Sequence, residues 1–173
     1  MAPDARRRWL VVLAVVVPAL ALGTGIGLVA SHRRSPTPGL KRGVPFTLAA
    51  VVDGGPDLTL ARAPGHPVVL NFFASWCVPC RRELPLLQRA SSRVQVMGVA
   101  VADGQTPATR LLRQAGITYP TGADPDRRVS SQYRVVGMPT TYFIAPDGRV
   151  VGRKQGELRP AELERWLDRL ERA

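Results

Sequence analysis

The chain has few of the side chains that bind metals or stack on nucleic-acid bases. It contains only two cysteines and two histidines among 173 residues. A structural zinc site needs about four Cys, His or carboxylate ligands, and the chain offers one Cys-x-x-Cys pair plus His32 and His66. Aromatic residues make up 6% of the chain, and its basic residues occur as scattered pairs without interleaved aromatics. Both a zinc knuckle and a nucleic-acid-binding groove are therefore disfavoured.

Acidic residues are also scarce. The chain has 13 Asp and Glu against 24 Lys and Arg, which gives a net charge of +11. Such a surface can lie close to anionic lipid or attract acidic partners, although a solvated basic surface is the simpler interpretation. The hydrophobic content of 45% is enough for a real core and excludes disorder for most of the chain, and the length allows one domain plus a tail.

Both cysteines lie in the sequence Trp76-Cys77-Val78-Pro79-Cys80. The preceding residues, 68–73, are apolar and aromatic, as expected for a buried strand, and apolar residues then recur at helical spacing over 78–91. Cys77 is therefore predicted at a strand-to-helix junction, near the N-terminus of the helix.

This position favours redox chemistry at the two sulfurs. The positive end of the helix dipole and the free N–H groups of the first turn stabilise a thiolate at Cys77, which would attack a substrate disulfide. Cys80, one turn further on, would resolve the mixed disulfide. Pro79 suits the first turn because its missing N–H needs no partner there. A purely structural disulfide is disfavoured because so short a loop constrains the unfolded chain only weakly.

The first 30 residues predict an exported protein. Residues 1–9 are basic, and residues 10–30 form an uncharged aliphatic run long enough to span about 30 Å of hydrocarbon as a helix. Ala19-Leu20-Ala21 resembles a signal-peptide cleavage site. We favour an uncleaved anchor because the apolar run continues past that site, and secretion after cleavage is the alternative. The lack of other cysteines suits an oxidising compartment, since no further thiol can mispair.

Residues 31–45 are rich in proline and glycine and are predicted to link the anchor to a domain at 46–173. The turn signals at 53–56 and 146–148 predict two hairpins. The strands are expected at 46–52, 57–61, 68–73, 94–102, 117–121, 140–145 and 150–156, and the helices at 78–91, 107–115, 126–133 and 160–170. This order predicts an α/β domain with a mixed central sheet covered by helices on both faces.

The chain resembles the thioredoxin superfamily in two motifs that occur in the right order. The Cys77–Cys80 motif lies on a strand-to-helix turn, and Gly137-Met138-Pro139-Thr140-Thr141 opens a later strand. The segments 71–77 and 80–85 are similar to the exported, membrane-tethered thiol-disulfide oxidoreductases of the TlpA and ResA type. The segment 105–133 is similar to the extra αβ element of that group. The resemblance covers residues 46–173 and implies a thioredoxin-like fold with an N-terminal β-hairpin.

The resemblance implies an enzyme that reduces disulfides of exported proteins, for example apocytochrome c, and is itself reduced by a membrane electron donor. No cofactor is implied beyond the dithiol of Cys77 and Cys80, supported by Trp76 and Pro79. It also implies a cis peptide bond between Met138 and Pro139, which leaves the Met138 backbone free to pair with a substrate peptide. The alternative is an ordinary trans proline at the start of a strand.

Two polar residues near the motif have open roles. Cytosolic thioredoxins typically have a buried Asp at the position of Asn71, and we favour a hydrogen-bonded core amide for this residue. Glu83 lies three residues beyond Cys80 on the same helix face. It is predicted either to accept the proton of Cys80 or to be a surface carboxylate paired with Arg81 or Arg82.

Two other functions remain open from the sequence. A copper-delivery module would bind Cu(I) with Cys77 and Cys80 together with Met138 or His66, because soft sulfur ligands suit that ion. A thiol peroxidase shares the core fold, but peroxiredoxins characteristically have Thr or Ser three residues before the reactive cysteine, where this chain has Ala74.

Overall fold

The computed structural model describes residues 39–173. Among these residues the strands are β1 Phe46–Leu48, β2 Leu58–Leu60, β3 Val68–Phe73, β4 Gln95–Val101, β5 Thr121–Asp124, β6 Thr140–Ile144 and β7 Val150–Gln155. The helices are α1 Val78–Ala90, α2 Gln105–Gln114, α3 Arg128–Gln132 and α4 Pro160–Glu171.

The central sheet is mixed, as predicted. Its strand order is β5-β4-β3-β6-β7, with β3, β4 and β5 parallel and β6 and β7 antiparallel to their neighbours. Strands β1 and β2 form a separate antiparallel hairpin. The central strand β3 is buried at every position, which explains its continuous apolar run and its agreement with the predicted bounds.

Alternate side chains of β3 enter two different cores. Val69 and Phe73 pack with leucines of α1, α2 and α4 on one face, and both cysteines belong to this cluster. Leu70 and Phe72 pack on the other face against the β1–β2 hairpin, Val129 of α3 and the rings of Tyr133 and Tyr142. Each face of the sheet is thus covered, which confirms the predicted layer arrangement.

The predicted strand over 117–121 is wrong. The strand is Thr121–Asp124, and it pairs in parallel with Gly98–Val101 of β4. Gly116 has a left-handed φ of 63°, and Pro120 lacks an N–H for the ladder, so the chain joins the sheet only after it. Strand β5 is short and lies at the edge, and its Thr-Gly-Ala-Asp sequence carries little apolar signal.

Other boundaries shift by a few residues. The two strands of the N-terminal hairpin are shorter than predicted, because Ala50 instead makes an isolated bridge to Gly122 of β5. Helix α2 begins at Gln105, with Pro107 accommodated in its first turn, and α3 occupies only the centre of the predicted 126–133 helix.

The turn between β6 and β7 follows the predicted Pro-Asp-Gly signal. Gly148 has a φ of 85°, and a Cβ there would lie 1.9 Å from the carbonyl oxygen of Arg62, so only glycine fits. Residues of the predicted linker lie beside this hairpin: the Gly43 N–H donates to the Gly148 carbonyl at 2.9 Å, and the Val150 N–H donates to the Lys41 carbonyl at 2.9 Å.

The predicted anchor at 10–30 lies outside the described residues. Within residues 39–173, none of the helices has the length and apolar character needed to cross a bilayer.

Helix α4 packs on the sheet through Trp166, whose ring lies against Gly152 of β7. The Trp166 ring stacks on Phe143 of β6, with the ring centroids 4.8 Å apart and an interplanar angle of 9°. A Cβ on Gly152 would lie 2.1 Å from the Trp166 Cζ3 atom. We expect Gly152→Ala to reduce the free energy of unfolding by about 1–3 kcal/mol, because the ring must leave its stacked position.

Urea denaturation measures this effect. Gly39→Ala is the matched control, because no atom lies within 4 Å of a Cβ at that position. Equal midpoints for the two variants would show that Trp166 moves without cost.

Candidate active site

The two cysteines lie at the junction between β3 and α1, as predicted. β3 ends at Phe73, and the Cys77 N–H donates to the Ala74 carbonyl at 3.1 Å, closing a short turn. Cys77 is the N-cap of α1, and its Sγ accepts the Cys80 N–H at 3.3 Å. Pro79 occupies the first turn, which carries no acidic side chain. The helix N-terminus therefore presents its partial positive charge to the Cys77 sulfur.

Cys77 and Cys80 are joined by a disulfide bond. Cys77 is 6% exposed, whereas Cys80 is fully buried. Of the two cysteines, only Cys77 therefore retains any solvent-accessible surface. Among the described residues no group of three or more His, Cys, Asp or Glu side chains is placed to hold a metal ion, and His66 is exposed in the loop before β3.

Exposed apolar side chains flank Cys77 in the sequence. Trp76 is 61% exposed and Val78 is 50% exposed, on either side of Cys77. Val136, in the loop before β6, is 79% exposed. Exposed large apolar side chains beside Cys77 are available for contact with a partner chain.

The Met138–Pro139 peptide bond is cis, as the resemblance implied. Pro139 is buried, and the half-buried Met138 packs against the cluster that contains both cysteines. The Pro139 carbonyl accepts the Gly156 N–H at 2.8 Å, and the Thr140 hydroxyl donates to the Gly137 carbonyl at 2.7 Å. The loop before β6 is thus fixed on both sides of the proline.

Glu83 is buried in α1, with an exposed fraction of 1%. Its Oε1 accepts the Asn71 Nδ2–H at 2.7 Å, and its Oε2 accepts the Leu158 N–H at 2.7 Å. The alternative prediction, a surface carboxylate paired with Arg81 or Arg82, is wrong. Arg82 instead forms a bidentate pair with Glu157, at 2.6 Å for the Nη2–Oε2 contact. The Glu83 side chain points into the core because it shares the buried face of α1 with Cys80 and Leu84.

Asn71 is the hydrogen-bonded core amide that we favoured. It is fully buried on β3, and its Nδ2 also donates to the Thr141 hydroxyl of β6 at 3.0 Å. The register places Thr141 directly opposite Asn71 across the antiparallel pair. Asn71 therefore holds the Glu83 carboxylate over the centre of the sheet.

Burial raises the pKa of the Glu83 carboxyl to about 7, because the charged form loses its hydration. The hydrogen bonds from Leu158 and Asn71 act in the opposite direction, since they stabilise the carboxylate. Burial also raises the pKa of the Tyr119 phenol, and the Glu83 charge adds to this effect. Glu83 is thus a core acid that exchanges its proton near neutral pH.

Three residues that interact with the site were not predicted from the sequence. The Leu158 contact is made by a backbone N–H, and the Tyr119 contribution depends on tertiary packing, so neither has a sequence signal. The third is Asp103, which accepts hydrogen bonds from the Ser75 N–H at 2.5 Å and from the Ser75 hydroxyl at 2.7 Å. The sequence does carry a signal for Asp103, because this residue follows a buried strand, β4. Parallel strands end at the same edge of a sheet, so an acidic residue just after β4 could have been predicted to lie near the end of β3.

The raised pKa of Glu83 predicts a specific pH dependence of stability. Between an unfolded pKa near 4.5 and a folded pKa of about 7, the native protein binds more protons than the unfolded chain. The free energy of unfolding should therefore fall as the pH rises through this window, by about 3 kcal/mol in total.

Urea unfolding of the oxidised protein at a series of pH values from 4.5 to 7 checks this. Glu83→Gln should lose this component of the pH dependence, whereas Glu171→Gln, which removes an exposed carboxylate at the end of α4, should keep it. Parallel curves for the wild type and Glu83→Gln would contradict the assignment.

Comparison with known proteins agrees with the fold. The AhpC/TSA family profile matches residues 42–153. The chain is 37% identical over 142 residues to a thiol:disulfide interchange protein DsbE homolog of Paracoccus denitrificans, covering 80% of this chain and 79% of the relative. It is 29% identical to the thiol-disulfide oxidoreductase ResA of Bacillus subtilis over 119 residues, 66% of either chain.

The fold is also similar to a crystal structure from Chlorobium tepidum described as a putative thiol:disulfide interchange protein DsbE. The TM-score is 0.67 at 30% identity, covering 75% of this chain and 96% of the other. The chain therefore belongs to the AhpC/TSA family, as a thioredoxin-like thiol-disulfide oxidoreductase of the DsbE and ResA type.

Proposed function

We propose that this protein reduces disulfide bonds of exported proteins by dithiol exchange at Cys77 and Cys80. The observation that carries the proposal is the arrangement of the pair: Cys77 reaches solvent at the N-terminus of α1, and Cys80 is buried one turn further on. An exposed attacking sulfur and a sheltered resolving sulfur are what a two-step exchange requires.

In the first step, the Cys77 thiolate of the reduced protein attacks one sulfur of a substrate disulfide. A mixed disulfide forms, and the other substrate sulfur leaves as a thiolate that takes a proton from water. The N-terminus of α1 stabilises the attacking thiolate, because its first-turn N–H groups and the helix dipole favour negative charge.

In the second step, Cys80 loses its proton and its thiolate attacks the Cys77 sulfur. The Cys77–Cys80 bond forms, and the second substrate thiolate is released, so the substrate gains two electrons and the protein loses two. We propose that the Glu83 carboxylate accepts the Cys80 proton. Its position on the buried face of α1, one turn beyond Cys80, and its pKa of about 7 support this role.

The surface around Cys77 suits an extended substrate segment. Exposed Trp76 and Val78 offer apolar contacts beside the sulfur, and the Met138 backbone, next to the cis proline, is proposed to pair with the substrate chain. The substrate class is an exported protein that carries a disulfide, for example apocytochrome c.

The site of action is proposed to lie outside the cytoplasm. Residues 10–30 would anchor the chain in the membrane as a single span, with the described domain on the extracytoplasmic side and a membrane electron donor restoring the dithiol. The apolar run supports a membrane span, and the lack of further cysteines supports an oxidising compartment outside the cytoplasm. The basic residues do not set the orientation, because those at 33–34 and 41–42 rival the N-terminal cluster. Secretion after cleavage near residues 19–21 is the alternative.

Substitution of each cysteine tests the exchange mechanism. Cys77→Ser should abolish disulfide reduction, and Cys80→Ser should accumulate substrate proteins as mixed disulfides because the resolving thiol is gone. Non-reducing electrophoresis followed by mass spectrometry of the released partners measures this, with the double Cys77→Ser, Cys80→Ser variant as the control. If Cys80→Ser traps no more protein than the control, the proposed function is wrong.

The proton-acceptor role of Glu83 is tested on the second step alone. Glu83→Gln should slow the resolution of a mixed disulfide preformed at Cys77 by about 10²-fold, because an amide cannot take the Cys80 proton. Stopped-flow measurement of thiol release gives this rate, and Glu171→Gln, which removes an exposed carboxylate of α4, is the matched control. A Glu83→Gln rate equal to that of the control would remove Glu83 from the mechanism.

A further inference from the structure

The Asp103 carboxylate binds both polar groups of a single residue, Ser75. Its Oδ2 accepts the Ser75 backbone N–H at 2.5 Å, and its Oδ1 accepts the Ser75 hydroxyl at 2.7 Å. Ser75 is half-buried and stands two residues before Cys77. Asp103 thus holds the turn that ends at Cys77.

The sheet delivers Asp103 to this turn. Phe73, the last residue of β3, pairs in parallel with Ala100 of β4, so the two strands end side by side. Ala102 then adopts a left-handed φ of 46°, and its N–H donates to the Asp124 carbonyl at 3.1 Å. The chain therefore bends at Ala102, immediately before Asp103, and a hydrogen bond to β5 fixes this bend.

The turn that Asp103 contacts contains the residues that set the position of Cys77. It runs from Ala74 to Cys77, and its closing backbone bond is the Cys77 N–H to the Ala74 carbonyl, at 3.1 Å. The two bonds from Ser75 to Asp103 add an attachment to a different strand of the sheet. They fix the path of Ser75 and Trp76 before the chain enters α1.

We propose that Asp103 is a positioning residue for Cys77, which fixes the Ala74–Cys77 turn through Ser75 and sets the thiolate reactivity of Cys77 through its negative charge. The inference rests on the proposed function, since it assigns a control element to the same sulfur.

The two effects of Asp103 act in opposite directions on Cys77. The first turn of α1 carries no acidic residue, so the helix end favours a thiolate there. The Asp103 carboxylate, held against Ser75, repels that thiolate and raises its free energy. Its hydrogen bonds, by contrast, keep the sulfur in place for attack, and small displacements of a reacting group slow catalysis strongly.

Two variants separate charge from attachment. Asp103→Asn removes the charge but keeps an oxygen acceptor for Ser75, whereas Asp103→Ala removes both. Asp53→Asn is the matched control. Asp53 also accepts a side-chain hydrogen bond, but its donor is Gln105 at the start of α2 and not a residue of the Ala74–Cys77 turn.

The first measurement is the pH dependence of Cys77 alkylation by iodoacetamide in a Cys80→Ser background. Asp103→Asn should lower the pKa of the Cys77 thiol by about half a unit, and Asp53→Asn should leave it unchanged. The second is disulfide reduction with Cys80 intact: Asp103→Ala should lose about ten-fold in turnover, and Asp103→Asn should recover most of that loss.

An unchanged pKa of the Cys77 thiol in Asp103→Asn, or wild-type turnover in Asp103→Ala, would overturn the proposal. If Asp103→Ala does not fold, the alkylation profile of Asp103→Asn decides alone. Alkylation needs no protein substrate, so a wild type without reductase activity would refute the proposed function and still leave the role of Asp103 measurable.

Discussion

The buried carboxylate of Glu83 is the constraint around which the active-site side of the sheet is arranged. The carboxyl group is almost fully buried. Each of its oxygens accepts a hydrogen bond, one from the Asn71 side chain and one from the Leu158 N–H. These bonds join α1 to the centre of β3 and to the loop between β7 and α4. Burying a carboxylate without hydrogen bonds costs free energy. The two hydrogen bonds therefore fix the positions of α1, β3 and this loop relative to one another.

The parallel pairing of β3 and β4 has a similar consequence on the outer side of the site. Because both strands run in one direction, the loop that carries Cys77 and the loop that carries Asp103 emerge at the same edge of the sheet. The antiparallel β6 contributes at this edge from its opposite end, so the cis Pro139 begins the strand where β3 finishes. Three separate chain segments thus meet at one edge, as is usual for sites in sheets with parallel strands.

Much of this arrangement follows from local sequence, and the remainder from distant contacts. Strand 68–73 was predicted with correct bounds because a fully buried strand has an unbroken apolar run. Strand Thr121–Asp124 was not, because an edge strand with a glycine and a terminal aspartate has neither alternation nor a run. The burial of Glu83 was open because its position on the helix permits either a surface or a core orientation, and its decisive partner, Leu158, lies 75 residues away.

The unequal burial of Cys77 and Cys80 also has a consequence for the regeneration step of the proposed cycle. In the disulfide form, Cys80 has no surface and Cys77 retains 6%. In the proposed cycle, a donor thiol would therefore attack the disulfide at Cys77. The donor would become attached to Cys77, and the departing electron pair would be left on the Cys80 sulfur. In that cycle the substrate and the donor would both react at Cys77, so they would compete for one sulfur and could not be bound to it at the same time.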